Sequence, residues 1–335
     1  MRKTRAVVIL TLLAMSAFSV ILTNTKVSNS KTTDITKILS ACDISEDKVK
    51  CVEETWLNSF NENRMSAFYQ ALDSYSKKSP EFTVYCHDAG HKAGRKAETQ
   101  GVDVVDVIKR YSTESGACNN GFLHGSLDSF AYRGSKNKDF TLIIKECEES
   151  RGKIRDACND GVGHSAWVSS FDYREVTEIC MLFKEEYDIR ACLAGGIMQA
   201  LRPHPITNEE PTLTYKESYT EIPKMCEIAR VLGAPDGAVA MCYSQLSIPI
   251  LEEVREYTNI ILNGSRGEYK LKKGALLWSQ ALDKCGDVGK YAEYCSEQVA
   301  AAVTWYVGDD PTLREILCSE MSEPWKTRCN EFRTR

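Results

Sequence analysis

No stretch of this sequence alternates apolar and polar residues convincingly enough to make a β-strand, which leaves the helix as the route by which its apolar residues reach a core. It also lacks a basic stripe with interleaved aromatics of the kind that follows a phosphate backbone. Its 42 basic residues are dispersed among 47 acidic ones and the formal net charge is -5, so nucleic acid is excluded as the expected partner. No GxSxG surrounds Ser126, Ser165 or Ser169, and a serine hydrolase would have no nucleophile elbow here. Histidine is scarce, with five residues in 335. It is also unevenly placed: His87, His91, His124 and His164 fall between Tyr85 and Trp167, and His204 lies apart, in RPHP. Two flanking prolines make His204 a loop residue.

A hydrophobic content of 43% with 9% aromatics suffices to bury a sizeable core, so disorder is not the expectation. Residues 1–23 join a charged start, Arg2, Lys3 and Arg5, to an apolar run from Ala6 to Thr23. That is the pattern of a secretory signal, although the run is long for one and no clean small-x-small cleavage site follows. A cleaved signal and an uncleaved membrane anchor are both open. Residues 24–34, rich in Ser, Thr and Asn, read as a linker. Beyond it we expect helical repeats with His and Asp motifs over 35–204, and a scaffold of further helical repeats over 205–335.

Fourteen cysteines in an exported chain indicate an oxidising compartment and a disulfide framework. Twelve fall in close couples: Cys42 with Cys51, Cys147 with Cys158, Cys180 with Cys192, Cys226 with Cys242, Cys285 with Cys295, and Cys318 with Cys329. Cys86 and Cys118 have no near companion, and a bridge between them is expected, with thiolate ligation as the alternative. Aligning second members of couples exposes a degenerate repeat: CNNGFLHGSLDSF from Cys118, CNDGVGHSAWVSS from Cys158 and CLAGGIMQALRPH from Cys192. The physical reading is a helical hairpin whose first cysteine ends one helix and whose second begins the next. Closing so short a loop contributes about 3 kcal/mol. The expected fold is therefore all-α, an α-solenoid-like array of disulfide-stapled helical hairpins.

The histidine motifs sit on this framework. In helices, His87 pairs with His91, His124 with Asp128, and Asp160 with His164, each pair four residues apart on one face. Counted from the leading cysteine, His91 is at plus five and His124 and His164 are at plus six, so the side chains should converge on one cavity, with Met198 at its edge. Imidazole and carboxylate suit Zn, Fe or Cu. The expected metal ligands are His87, His91, His124, His164 and Asp160. Asp88, Asp128 and Asp160 are candidate proton acceptors or hydrogen-bond partners of the ligating rings. The bland alternative is that buried histidines merely satisfy hydrogen bonds; agreement of residue type, spacing and register favours metal. HDAGH differs from the zinc-protease HExxH in placing Asp88, one methylene shorter, where the glutamate base would stand.

CHDAGH, GFLHG, CNDGVGH and CLAGGIM together resemble a group of uncharacterised secreted microbial proteins with the same order of Cys, Gly and His motifs. The resemblance covers Cys86 to Met198. In that group the third motif often reads HGxGH, and here Asp160 stands at its first histidine. The architecture also resembles, more loosely, that of deoxyhypusine hydroxylase, but its His-Glu motifs are absent and no residue is carried over. Three functions remain open: a metal-dependent hydrolase or oxygenase with a mono- or dinuclear site, a metal carrier without turnover, and an extracellular interaction scaffold. The expected partner is an extracellular protein or a small substrate, with membrane contact only through an uncleaved amino-terminal segment.

Overall fold

The computed structural model describes residues 34–61, 65–76, 82–111, 120–133, 139–201, 215–247 and 280–307, together with Glu315, Cys318, Ser319, Glu323, Lys326 and Thr327. Among these residues there are helices and turns and no strand. The protein is an all-α, disulfide-stapled helical array. None of the described helices is long and apolar enough to cross a membrane; residues 1–23 and His204 lie outside the described residues.

The chain divides into two compact units. The first contains α1 (34–43), α2 (Lys48–Asn61), α3 (Met65–Ser76), α4 (Phe82–Thr99) and the opening of α6 (Gly121–Arg133). An aromatic core organises it. Trp56 of α2 stacks on Phe122 of α6 with ring centroids 5.8 Å apart and meets Phe68 of α3 at 5.1 Å, while Phe60 reaches Phe122 at 5.2 Å. Trp56, Phe68 and Phe122 are fully buried, and burial of each large aromatic contributes about 2 to 3 kcal/mol.

The second unit takes most of α5 (Val104–Tyr111), the rest of α6, α7 (Thr141–Glu149), α8 (Lys153–Ser170), α9 (Tyr173–Cys180), α10 (Glu186–Leu201), α11 (Tyr215–Val231) and α12 (Asp236–Ser244). A helical stretch at 280–286, here α13, and α14 (Ala292–Val307) complete it. Local chemistry sets the boundaries. α8 stops at Phe171, which adopts the left-handed conformation at φ 52° and donates its N–H to the Trp167 carbonyl at 2.7 Å. Asp172 then caps α9, its carboxylate accepting the Arg174 N–H at 2.8 Å.

Five bridges are described: Cys42 to Cys51, Cys147 to Cys158, Cys180 to Cys192, Cys226 to Cys242 and Cys285 to Cys295. Each joins one helix to the next. The first cysteine lies in the last turn of its helix in every case but Cys226, which sits further inside α11. Cys86 and Cys318 are also disulfide-bonded, while Cys118 and Cys329 lie outside the described residues.

Candidate metal centre

In the first unit, α4 carries His87 and His91 one turn apart on one face. His91 is fully buried and His87 is half-buried, with ring centroids 4.7 Å apart, edge to face. α6 approaches α4 at backbone distance because glycines line the seam. A Cβ at Gly94 would strike the Phe122 carbonyl, one at Gly121 the His87 carbonyl, and one at Gly125 the His91 carbonyl. Ser126 seals the contact by donating its hydroxyl to the Gly94 carbonyl at 3.2 Å and to the Phe122 carbonyl at 3.0 Å. This approach sets the His124 ring 5.7 Å from His91 and 6.2 Å from His87. The ring nitrogens that His91 and His124 offer a metal lie within 4.8 Å of each other.

In the second unit, Asp128 follows His124 by one helical turn on α6 and is fully buried. Asp160 and His164 are one turn apart on α8, with His164 Nε2 3.5 Å from Asp160 Oδ2. The opposite nitrogen, Nδ1, lies 3.0 Å from Oε1 of Gln199 on α10. Burial is the largest single influence on the His164 ring and works against its charged form. The Asp160 carboxylate, the Asp128 charge and the Gln199 hydrogen bond outweigh it, and the pKa is held above the usual histidine value. Glycine again closes the seam: a Cβ at Gly163 would strike the Cys192 carbonyl, and one at Gly195 the Asp160 carbonyl.

The two seams make the same contact. Gly121 meets the carbonyl of His87 and Gly195 meets that of Asp160, and both glycines stand third after a cysteine in sequence. His87 and Asp160 are thus equivalent, which explains why His91 counts plus five from its cysteine while His164 counts plus six: Cys86 is one position out of register.

Among the described residues, His91, His124 and His164, all buried, make up the histidine group that could hold a metal ion. No family model, curated protein or solved structure matches this chain. Its site is therefore read from the chemistry of its own residues. His87 stands against two of the group without belonging to it. Asp88 is half-buried, and Cys86, being bridged, offers no thiolate. Ser165 and Ser169 donate to the carbonyls of Gly161 and Ala166 at 2.8 Å each, the ordinary behaviour of serine inside a helix. Sequence reasoning missed Gln199. Met198, expected at the cavity edge, is half-buried, and the side chain on His164 is that of its neighbour.

Proposed function

We propose that this chain is an extracytoplasmic metal-binding protein of stapled helical repeats that holds a transition-metal ion on His91, His124 and His164. The observation that carries the reading is the burial of three ligand-type imidazoles, at 0%, 4% and 1% exposure. Each of the three offers one ring nitrogen within 4.8 Å of the others, close enough for one ion to meet all three at metal–nitrogen bonds of about 2.0 to 2.1 Å, and a core built for packing alone would use aliphatic side chains at such positions. Neutral imidazole is a common ligand for zinc, iron and copper. The carboxylates near the rings, Asp128 and Asp160, add negative charge that a bound cation would offset. Five intrachain bridges suit an oxidising compartment.

A catalytic reading is favoured over simple storage by one feature, the position of Asp160. Its side chain is 22% exposed while the ring beside it is 1% exposed, so it links a buried ligand to solvent. A bound ion would supply Lewis acidity there, and Asp160 would accept a proton from the reacting group, as a metal-dependent hydrolase requires.

The test is the metal content of the full chain purified without a metal-binding tag. About one equivalent of zinc, iron or copper is expected, falling at least tenfold in His91→Ala, His124→Ala and His164→Ala while the helical circular dichroism signal persists. A wild-type chain that retains no metal and takes up none on titration with Zn²⁺, Fe²⁺ or Cu²⁺ would overturn the reading in favour of an interaction scaffold.

A further inference from the structure

Gln199 is fully buried, and its presence on α10 needs an explanation that packing does not give. Its carboxamide nitrogen has no hydrogen-bond partner among the described residues, and an unsatisfied buried donor costs about 1 to 3 kcal/mol. A leucine of similar volume would carry no such cost. What the carboxamide supplies is its oxygen, 3.0 Å from His164 Nδ1.

A neutral imidazole carries one proton, and the nitrogen that holds it cannot ligate a metal. Two acceptors compete for that proton. Gln199 Oε1 is at ordinary hydrogen-bond length from Nδ1, whereas Asp160 Oδ2 is 3.5 Å from Nε2, beyond the range of a good N–H donor bond. The other charged group acting on the ring, Asp128, favours its charged form. We infer that Gln199 is a positioning residue for His164: accepting a hydrogen bond from Nδ1–H, it fixes the ring's orientation and the tautomer that leaves the Nε2 lone pair free for a metal. The inference rests on the proposed metal site for the word ligand, and on Gln199 alone for the tautomer.

The seam between α8 and α10 holds the geometry. Gly163 and Gly195 let the two backbones touch, so Gln199 and His164 face each other from elements that cannot drift apart without opening that contact. The reverse orientation of the amide would present its NH2 to Nδ1 and force the proton onto Nε2, toward Asp160, leaving no lone pair there.

The experiment uses the full chain, metal-free and ¹⁵N-labelled at histidine, with the His164 ring assigned by its loss in His164→Asn. At an alkaline pH, where the ring is neutral despite its raised pKa, long-range proton–nitrogen correlation is expected to show the Nδ1–H tautomer in the wild type. Gln199→Glu, which keeps the acceptor, should retain that tautomer and bind Zn²⁺ at least as tightly. Gln199→Leu should lose the single tautomer and bind Zn²⁺ about 10- to 100-fold more weakly, with unchanged helicity. A proton on Nε2 in the wild type, or an unaltered tautomer in Gln199→Leu, would overturn the positioning role. If Gln199→Leu fails to fold, the wild-type tautomer decides by itself. The expected tautomer in a wild type that binds no Zn²⁺ would instead overturn the metal reading, and with it the ligand role, while leaving the hydrogen bond intact.

Discussion

At the scale of single residues, two buried polar groups divide the labour between stability and chemistry. Asp188 on α10 is fully buried; it accepts from Arg155 Nε at 2.8 Å and from Asn159 Nδ2 at 2.7 Å, while Arg155 Nη2 donates to its other oxygen. Asp188→Ala leaves the guanidinium without its partner and is expected to cost about 3 kcal/mol, read as a lower denaturant midpoint, with metal content unchanged in the folded protein. His124→Ala should do the reverse, losing metal while the unfolding midpoint moves by less. Neither Asp188 nor Gln199 was legible in the sequence. An aspartate in the first turn of a helix is ordinarily just a charge at the positive end of its dipole, and the repeat alignment pointed at Met198, because the sideways offset between α8 and α10 that favours its neighbour exists only in three dimensions. The histidines were legible because their spacing from cysteines repeats.

Among elements, the glycine seams are the contacts most sensitive to a single methyl group. Gly163→Ala would drive a Cβ into the Cys192 carbonyl, and separating α8 from α10 is expected to cost about 1 to 3 kcal/mol. It should also weaken Zn²⁺ binding by pulling Gln199 off His164. Gly286→Ala is the control, since its Cβ would meet nothing within 4 Å; thermal melts of the two variants should differ by several degrees. Helix identity was readable from periodicity: apolar residues recur at threes and fours from Asp139 to Glu149 and from Glu293 to Val307, where the structure has the helices Thr141–Glu149 and Ala292–Val307. The same recurrence runs from Lys48 to Lys77, where the chain makes two helices, Lys48–Asn61 and Met65–Ser76. Periodicity reports which face is apolar and is silent about where a chain turns. Phe171 makes the same point: nothing in its side chain announces a left-handed residue at the end of α8, and Phe171→Gly is expected to raise stability by about 1 kcal/mol, because its ring is partly exposed and its φ of 52° suits glycine.

For the molecule as a whole, the described bridges all span between 9 and 16 residues. Such links can form in order as a chain is exported, each as soon as its own two helices have emerged, without waiting for distant partners. They also leave the chain open to separation. No described bridge crosses from the residues before Cys192 to those after Cys226; with Cys86 paired to Cys118 and Cys318 to Cys329, as their order in the sequence leads us to expect, a single protease cut between Cys192 and Cys226 should release two fragments on a denaturing gel run without reductant, and a single band there would show a crossing bridge at Cys86 or Cys318. A disulfide-rich protein is usually expected to survive nicking as one covalent piece; here each of the five described bridges stiffens its own hairpin and ties it to no other.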